Sequence, residues 1–376
     1  MQPARHVLIT GANGFIGKNL VVRLGELPAY SVLTFVRGDD EARLPALVAQ
    51  ADAVIHLAGE NRPSDEGAFE RVNTGLTQAL CDAIAQQIQA NGRQVPLLLA
   101  SSSQAERDNP YGRSKLAAEQ AVKRLADTTG NPCVVYRLPG VFGKWCKPNY
   151  NSVVATFCHN IARGLPVQIN DPAASVRLVY VDDVVSALLA VLDAPASGLV
   201  FGAVQPEYSI TLGELAEQIR RFGDCRASLL SERVGAGLTR ALYATYVSYL
   251  PRDGFAYEVP QYADARGVFV EMLKTPDCGQ FSYFTAHPGV TRGGHYHHTK
   301  TEKFLVIKGK ALFRFRHVLT AELVELETCG EKPVVVDTIP GWAHDITNVG
   351  TDEMVVMLWA NENFDRQRPD TVASKV

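Results

Sequence analysis

Short apolar runs alternate with longer helical patterns from residue 5 to about residue 140. The apolar runs are HVLIT, SVLTFVR, AVIHLAG, PLLLASS and CVVYRL, and amphipathic stretches such as VNTGLTQALCDAIAQQI separate them. Strands that alternate with helices in this way form a parallel sheet joined by crossover helices. The pattern therefore predicts a doubly wound, Rossmann-like α/β domain in the N-terminal part of the chain.

The hydrophobic pattern changes near residue 260. Beyond it, short strands such as EKFLVIKGKALFRFRH, PVVVDTIPGWAHDITNVG and EMVVMLWANE are separated by Gly and Pro turns, with little helical period. Such a pattern is typical of an antiparallel barrel or sandwich. The stretch SYLPRDGFAYEVPQYADARG, rich in Pro, Gly and Asp, lies at the change. We therefore expect an α/β domain over residues 1–253 and an all-β domain over residues 254–376.

Length and composition agree with two globular domains. The chain has 376 residues, more than the ~250 to 300 that one core serves, and is 46% hydrophobic and 20% charged. A net charge of -3 without a basic run argues against nucleic acid as a partner. The longest clean apolar run, VVSALLAVL, is about half of the ~20 residues that cross a bilayer, so no membrane association is expected.

The N-terminus and the cysteines predict a cytoplasmic protein. MQPARHVLIT passes directly into a strand and leaves no room for the apolar core of a signal peptide. The 7 cysteines are far apart and never form a CxxC pair, so a disulfide framework is not expected.

A glycine-rich turn follows the first predicted strand. TGANGFIG places Gly11, Gly14 and Gly17 at the start of a helix. Residues without Cβ let the backbone and the helix N-terminus approach a pyrophosphate, whose charge the helix dipole favours. After the second strand, Arg37 stands where an acidic residue would favour NAD, and it indicates the 2′-phosphate of NADP. A solvated surface arginine is the alternative explanation for Arg37.

A second motif, SSSQAERDNPYGRSK, carries residue types that suit proton transfer. Asn109 and Pro110 suit the cap and the first position of a helix, and Tyr111 and Lys115 then lie one turn apart on one face. A neighbouring ammonium is expected to lower the pKa of the phenol and make it a proton donor or acceptor near neutral pH. A serine at the end of the preceding strand can give a carbonyl oxygen a second hydrogen bond.

Together these motifs resemble the extended short-chain dehydrogenase/reductase family over most of residues 5 to 200. The resemblance implies Ser103, Tyr111 and Lys115 as catalytic residues, with Ser102 as the alternative serine, and Asn73 as a structural asparagine. It implies cofactor contacts in the glycine turn, after the second strand, after the third strand and on the catalytic helix. These expected contacts are Gly11, Asn13, Gly14, Phe15, Ile16, Gly17, Arg37, Leu57, Ala58, Gly59 and Lys115.

Two later motifs, RLPGVFG and RLVYVDD, resemble the nucleotide-sugar branch of that family. This resemblance implies that Arg177 faces a diphosphate and that Asn151 also contacts the substrate.

The stretch GVTRGGHYHHTKTEKFLVIKG fits G-x5-H-x-H-x4-E-x6-G, the first motif of the cupin superfamily. Residues two apart in a strand face one side, so His295 and His297 can point into a barrel together with Glu302 from the next strand. PGWAHDITN resembles the second cupin motif and adds His344. Imidazoles with one carboxylate suit a divalent metal such as Zn, Fe, Mn, Ni or Cu, and zinc is our first expectation. A bulge would make His298 the ligand in place of His297, and a metal-free barrel with acid and base histidines is a second alternative.

In their order along the chain, DNPYG, GKWCKPNYNSVVATFC, HYHHTKTEKFLV and FRFRHV resemble a family of capsular polysaccharide and O-antigen biosynthesis enzymes that join such a reductase to a cupin. The resemblance implies C3 epimerisation of a UDP-2-acetamido-2,6-dideoxy-4-hexulose in the cupin domain. NADPH-dependent reduction at C4 then gives a UDP-2-acetamido-2,6-dideoxy-L-talose, on the route to UDP-N-acetyl-L-fucosamine, and a homodimer is expected.

Several points of this function stay open at the level of sequence. Candidate groups for moving the C3 proton are His295, Tyr296, His297, Lys303 and His344. One alternative is a single-activity nucleotide-sugar reductase whose cupin domain only dimerises or binds a ligand. Another is oxygen chemistry at the cupin metal, which would call for iron with open coordination positions.

Overall fold

The computed structural model describes residues 4–62, 65, 67–193, 197–264, 267–270, 272–273, 275, 279–362 and 367–376. The chain forms two compact units that are discontinuous in sequence. The first comprises Met1–Lys147 with Val176–Ser209, and the second comprises Pro148–Ser175 with Ile210–Val376. Ala265, Arg266 and Cys278, which belong to sequence stretches discussed above, lie outside the described residues.

The first unit is built on a parallel sheet. Within the described residues its strand order is β2-β1-β3-β4-β5-β8, and a smaller sheet has the order β6-β7-β9. The strands up to residue 211 are β1 (Arg5–Thr10), β2 (Tyr30–Phe35), β3 (Ala53–His56), β4 (Leu97–Ser102), β5 (Cys133–Leu138), β6 (Gly140–Phe142), β7 (Ser175–Tyr180), β8 (Leu199–Gly202) and β9 (Glu207–Thr211).

Helices cover both faces of this sheet. The helices up to residue 193 are α1 (Phe15–Gly25), α2 (Leu44–Gln50), α3 (Leu76–Asn91), α4 (Pro110–Thr129), α5 (Val153–Ile161), which belongs to the second unit, and α6 (Val181–Asp193). Neighbouring strand residues point to opposite faces, so Leu8 packs in the core with α3 and α4, and Val7 packs in the core with α1 and α6. Burial on both faces explains why these strands are apolar throughout.

The second unit joins helices to an all-β structure. Its helices after α5 are α7 (Leu212–Ser228) and α8 (Gly237–Ser248). Its strands are β10 (Ala256–Glu258), β11 (Gln261–Asp264), β12 (Gly267–Val270), β13 (Gln280–Ala286), β14 (Thr291–Tyr296), β15 (Glu302–Lys308), β16 (Lys310–His317), β17 (Leu323–Cys329), β18 (Val334–Asp337), β19 (Trp342–Asn348), β20 (Met354–Ala360) and β21 (Val372–Ala373). In the described residues they form the sheets β10-β18-β15-β20-β13 and β17-β16-β19-β14-β21 and the hairpin β11-β12.

A buried polar cluster connects α7 to the barrel. Arg226 donates to Asp337 Oδ2 at 2.8 Å, and Lys303 donates to Asp337 Oδ1 at 2.6 Å and to the Tyr257 hydroxyl at 3.2 Å. Burial alone would lower the pKa of Lys303, but the charge of Asp337 raises it well above its usual value. The helices after residue 210 therefore belong to the same compact unit as the strands. The predicted division at residues 253 and 254 followed the change from helices to strands and differs from these units.

The predicted fold class is confirmed: a Rossmann-like parallel sheet with helices precedes antiparallel sheets of cupin type. Among the described helices, none combines the length and the apolar character that crossing a bilayer requires. The cysteines of the described chain are free thiols.

Candidate active sites

The glycine turn of the first unit leaves no room for side chains. Gly11 has a φ of +72°, and a Cβ there would lie 2.7 Å from the backbone nitrogen of Ala58. A Cβ on Gly17 would lie 2.3 Å from the carbonyl oxygen of Gly11. The turn thus packs against both α1 and the loop after β3. Two segments predicted to contact the cofactor are therefore neighbours, the glycine turn and the loop of Leu57, Ala58 and Gly59. In the turn, Asn13 and Gly14 are exposed, and Phe15 and Ile16 are half-buried.

A chain of hydrogen bonds fixes the loop of Leu57, Ala58 and Gly59, which we call the cofactor loop after its predicted contacts. The Thr10 hydroxyl accepts from Ala58 N at 3.2 Å and lies 2.5 Å from His56 Nδ1. His56 Nε2 lies 2.8 Å from the Thr77 hydroxyl, which donates to Asn73 O at 2.6 Å. Because Thr77 uses its hydrogen on Asn73, it must accept from His56, so His56 carries its proton on Nε2. Nδ1 of His56 then accepts from Thr10.

His56 is neutral, and its network continues to α4. Burial, with the nearby charge of Lys115, lowers the pKa of His56 to about 3. Asn73 lies in a wide helical turn, Phe69–Gly75, and its amide accepts from Glu60 N at 2.7 Å. The same amide donates to the Ser114 hydroxyl at 3.0 Å. Asn73 therefore ties the cofactor loop to α4, as expected of a structural asparagine.

Lys115 lies between the end of β4 and the cofactor loop. Its Nζ donates to the carbonyl oxygen of Ala100 at 2.9 Å, and a Cβ on Gly59 would lie 3.3 Å from it. Burial lowers the pKa of Lys115 to about 8, and the carboxylate of Glu119 one turn later opposes this shift. The helix that carries Lys115 begins as predicted, because Asn109 Oδ1 accepts from Gly112 N at 2.8 Å and Pro110 follows the cap.

The expectation that Lys115 lowers the pKa of Tyr111 is wrong. Burial raises the pKa of the Tyr111 phenol, and a hydrogen bond with Ser102 offsets only part of that shift. The ammonium of Lys115 donates to Ala100, and the Tyr111 ring packs on Phe69 with centroids 5.8 Å apart. Tyr111 is therefore protonated at neutral pH, a state that suits a proton donor.

Of the two serines named from the sequence, Ser102, the alternative to Ser103, forms the hydrogen bond with Tyr111. Ser102 is the last residue of β4 and is only 8% exposed. Ser103 lies one residue past the strand, where its side chain is exposed and its backbone nitrogen donates to Leu138 O.

Activity that depends on Lys115 is expected to fall as pH rises through about 8. The ammonium loses its proton there, and with it the positive charge beside the cofactor loop. The measurement is kcat/KM for ketone reduction from pH 6 to 10. In Lys115→Arg the charge persists over this range, so the alkaline decline should disappear. A wild-type profile that stays flat to pH 10 would contradict the assignment.

The predicted contacts to the 2′-phosphate and to the substrate, Arg37, Arg177 and Asn151, are exposed. Arg37 is 85% exposed and forms an ion pair with Glu60, while Arg177 holds Glu207 through two guanidinium nitrogens. Asn151 is exposed ahead of α5 and belongs to the second unit, whereas Arg177 belongs to the first. Neither unit by itself contains both predicted substrate contacts.

The barrel brings together the four side chains predicted as metal ligands. One ligand atom from each of His295, His297, Glu302 and His344 lies within 4.8 Å of every other. Glu302 Oε2 is central, at 3.2 Å from His297 Nε2 and 3.6 Å from His344 Nε2. We call these residues the histidine–glutamate cluster.

Strand geometry explains which histidines converge. His295 pairs with His344 in the ladder between β14 and β19, after a one-residue bulge at Gly293 and Gly294. His297, two residues on, faces the same side. His298 is half-buried and packs on Tyr296, with ring centroids 5.5 Å apart, on the other side. The bulge precedes His295, so it does not exchange His297 for His298.

A short loop after β14 is fixed by Asp370, which the sequence analysis did not identify. The Asp370 carboxylate accepts from the backbone nitrogens of His298, Thr299 and Lys300 at 2.9, 2.6 and 2.7 Å. The Asp370 carbonyl oxygen accepts from His297 Nδ1. This bond leaves His297 Nε2 facing Glu302. The charge of His298 and the backbone donors lower the pKa of Asp370 to about 2 despite its burial.

The chemistry of the cluster fits a metal ion. His344 Nε2 is buried and has no hydrogen-bond partner among the described residues. Burial lowers the pKa of His295 to about 4 and also lowers that of His344. The adjacent imidazoles of His297 and His344 outweigh burial and hold the pKa of Glu302 well below its usual value. Neutral imidazoles and an ionised carboxylate are the protonation states that metal binding requires.

Two sequence candidates for moving a proton are not in this cluster. Lys303 points away from Glu302, its neighbour in β15, and pairs with Asp337. Tyr296, the last residue of β14, lies between His295 and His297 and therefore faces the other side. Lys300 was not singled out from the sequence, yet its Nζ lies 2.8 Å from Glu302 Oε1.

Family models match both the N-terminal and the C-terminal part of the chain. A model of the NAD dependent epimerase/dehydratase family matches residues 7–205, and a model of the polysaccharide biosynthesis C-terminal domain matches residues 262–372. The chain belongs to the NAD dependent epimerase/dehydratase family. It is thus an NAD(P)-dependent enzyme of the short-chain dehydrogenase/reductase type, as predicted, and its cofactor is a nicotinamide nucleotide.

Relatives that match the whole chain narrow the resemblance. The UDP-2-acetamido-2,6-beta-L-arabino-hexul-4-ose reductase of Pseudomonas aeruginosa is 57% identical over 98% of both chains. The crystal structure of the capsular polysaccharide assembling protein CapF from Staphylococcus aureus has 39% identity and a TM-score of 0.64, covering 99% of this chain and 100% of that one. The predicted resemblance to CapF-type polysaccharide biosynthesis enzymes is therefore confirmed.

A more distant structure shares only the fold of the N-terminal part. UDP-glucuronic acid 4-epimerase from Bacillus cereus, in complex with UDP-glucuronic acid and NAD, is 19% identical with a TM-score of 0.50. It covers 58% of this chain and 83% of its own.

Proposed function

We propose that the protein epimerises C3 of a UDP-2-acetamido-2,6-dideoxy-4-hexulose in the barrel and then reduces the C4 ketone with NADPH in the first unit. The product is a UDP-2-acetamido-2,6-dideoxy-L-talose. The observation that carries this proposal is the presence of two separate chemical sites, Ser102, Tyr111 and Lys115 in one unit and the histidine–glutamate cluster in the other. The name of the Pseudomonas reductase supports the substrate class.

Ketone reduction follows from the protonation states of the first site. NADPH supplies the hydride that forms the new C–H bond at C4. The carbonyl oxygen gains negative charge as this happens, and Tyr111, protonated because it is buried, gives it a proton. The Ser102 hydroxyl orients the same oxygen, and its hydrogen bond with Tyr111 stabilises the tyrosinate that remains.

The choice of NADPH is supported by the position of Arg37. Its guanidinium is exposed after β2, and its ion pair with Glu60 holds it beside the cofactor loop. A guanidinium fork fits a phosphate through two hydrogen bonds, so Arg37 suits the 2′-phosphate of NADP. We likewise propose Arg177 and Asn151 as contacts to the nucleotide sugar, since both are exposed.

Epimerisation needs positive charge beside the C4 oxygen. The proton on C3 is adjacent to the ketone, so its removal gives an enolate, and return of a proton to the opposite face inverts C3. A divalent metal held by His295, His297, Glu302 and His344 would supply Lewis-acid stabilisation of that oxygen. Three imidazoles and one carboxylate suit zinc. The Lys300 ammonium, 2.8 Å from Glu302, adds a second positive charge to the site.

The test is deuterium incorporation at C3 of the 4-keto sugar in D2O, without NADPH, followed by mass spectrometry. We expect incorporation with the wild-type protein, because enolate formation needs no hydride. It should persist in Tyr111→Phe, which alters only the first site, and fall at least ~100-fold in His295→Ala. Absence of incorporation in the metal-loaded wild type would overturn the epimerase assignment and favour a barrel that only binds or dimerises.

A further inference from the structure

Arg292 points to the same side of β14 as the histidine–glutamate cluster. In the ladder with β19, Arg292 pairs with Ile346, and His295 pairs with His344. Arg292 and His295 are three positions apart, so a regular strand would turn them to opposite faces. The bulge adds one residue, Gly294, so the side chains of Arg292 and His295 face the same side of β14. Ile346 and His344 are buried inside the barrel, so this shared face is the inner one.

The guanidinium of Arg292 lies at the rim of that inner face. It stands over the ring of Phe284 at 5.2 Å from the centroid, while the side chain remains exposed. Phe284 packs on Phe304 with centroids 6.3 Å apart, and Phe304 lies 6.3 Å from the ring of His344. A continuous aromatic wall therefore runs from Arg292 to the cluster. Stacking on that wall holds the cation in one orientation.

Arg292 differs from two other arginines of the barrel strands, because no polar partner of its guanidinium lies among the described residues. Arg314 is paired with Asp345 at 2.6 Å, and Arg316 donates to Lys375 O at 2.6 Å. Over the part of the chain that the structure describes, the recorded contact of the Arg292 guanidinium is the Phe284 ring alone. Because Arg292 is exposed, its N–H donors are accessible to a ligand from the solvent.

We propose that Arg292 binds the diphosphate of a nucleotide sugar whose hexose ring lies over the histidine–glutamate cluster. This inference rests on the proposed function and adds a substrate contact to it. Two ladder positions separate Arg292 from His295, or about 7 Å along the strand. This separation is comparable with the span from the reacting ring carbons to the phosphate on C1. A guanidinium binds phosphate through two parallel hydrogen bonds, so the contact orients the ring as well as attracting its charge.

A consequence is that each unit would hold the diphosphate by its own arginine, Arg177 in the first and Arg292 in the second. The nucleotide sugar can then dissociate from one site and bind at the other, and no group of the protein has to stay bound to it during the transfer. Removal of Arg292 should weaken substrate binding at the barrel and leave the reacting atoms untouched.

The experiment measures KM and kcat for C3 deuterium incorporation in D2O, without NADPH, with metal-loaded full-length protein. In Arg292→Gln we expect KM to rise roughly 10- to 100-fold, the loss typical of a charge-assisted phosphate contact, while kcat stays within about 3-fold. Arg292→Lys keeps the charge and loses the fork, so its KM should lie between those of Arg292→Gln and the wild type. The inhibition constant of UDP against deuterium incorporation should rise by a factor similar to the rise in KM.

The matched control is Lys310→Gln. Lys310 is an exposed cation on β16 that points away from the barrel interior, and its removal should leave KM unchanged. Measuring the metal bound per chain checks that the histidine–glutamate cluster of each variant is folded. Unchanged KM in Arg292→Gln, or a fall in kcat at constant KM, would overturn the diphosphate contact. Those results leave wild-type incorporation intact, whereas failure of the proposed function would abolish incorporation in the wild type itself.

Discussion

Tyr111→Phe is expected to lower kcat for reduction of the C4 ketone by about 10²- to 10⁴-fold, while C3 deuterium incorporation in the barrel stays unchanged. The phenol is the buried, protonated group that can supply a proton to the developing alkoxide. Phenylalanine keeps the packing on Phe69 and removes only that proton. The measurement is single-turnover oxidation of NADPH by the 3-epimerised 4-keto sugar, which bypasses the barrel. Equal loss of both activities would show that the two sites are not chemically separate.

A pair of serine variants gives this prediction its control. Ser102→Ala removes the hydroxyl that contacts Tyr111, and kcat for reduction should fall by roughly 10- to 100-fold. Ser103→Ala removes an exposed hydroxyl of the same type one residue later, and kcat should be unchanged. If Ser103→Ala were the impaired variant, the choice of Ser102 would be wrong.

Removal of one cluster ligand is expected to abolish stable metal binding. His344 is buried and directs Nε2 at the cluster without another partner among the described residues, so His344→Asn deletes a donor that no neighbour replaces. Bound metal should fall from about one ion per chain to less than about 0.1, and C3 deuterium incorporation should fall with it. Inductively coupled plasma mass spectrometry after dialysis measures the first quantity. Reduction of the 3-epimerised sugar should persist.

Asp370 provides a graded version of the same test. Asp370→Ala frees the loop of His298, Thr299 and Lys300, and we expect metal affinity to fall about 10- to 100-fold, as is typical when a partner behind a ligand is lost. Asp352→Asn, an exposed aspartate on the barrel, is the control and should bind metal normally. Full metal occupancy in His344→Asn would contradict the ligand set, and unchanged affinity in Asp370→Ala would contradict the role of the loop.

The parts of the sites that depend on short-range spacing could be predicted from the sequence. The glycine turn, the Asn109 cap and the cluster of His295, His297 and Glu302 each follow from a fixed number of residues within one or two elements. Only His344 comes from a distant strand, and its own local motif identified it. The alternation of strands and helices likewise predicted the fold class.

The features that the sequence did not reveal depend on burial and on tertiary neighbours. The choice of Ser102 depends on where β4 ends, and the raised pKa of Tyr111 depends on how deeply the phenol is buried. Asp370 is an ordinary aspartate in sequence and acquires its role only because the backbone near residue 370 returns to the loop after β14. No motif around Arg226 indicated from the sequence that α7 packs on the barrel.

The interleaving of the two compact units has a consequence for dissecting the protein. The backbone passes between the units three times, after Lys147, after Ser175 and after Ser209. A single proteolytic cut at any of these places gives two fragments, and at least one of them contains parts of both units. An expressed fragment that starts at residue 254 would also lack α7, and with it the Arg226 partner of the buried Asp337. The two proposed activities would therefore be easier to silence one at a time by point substitution than to separate as fragments.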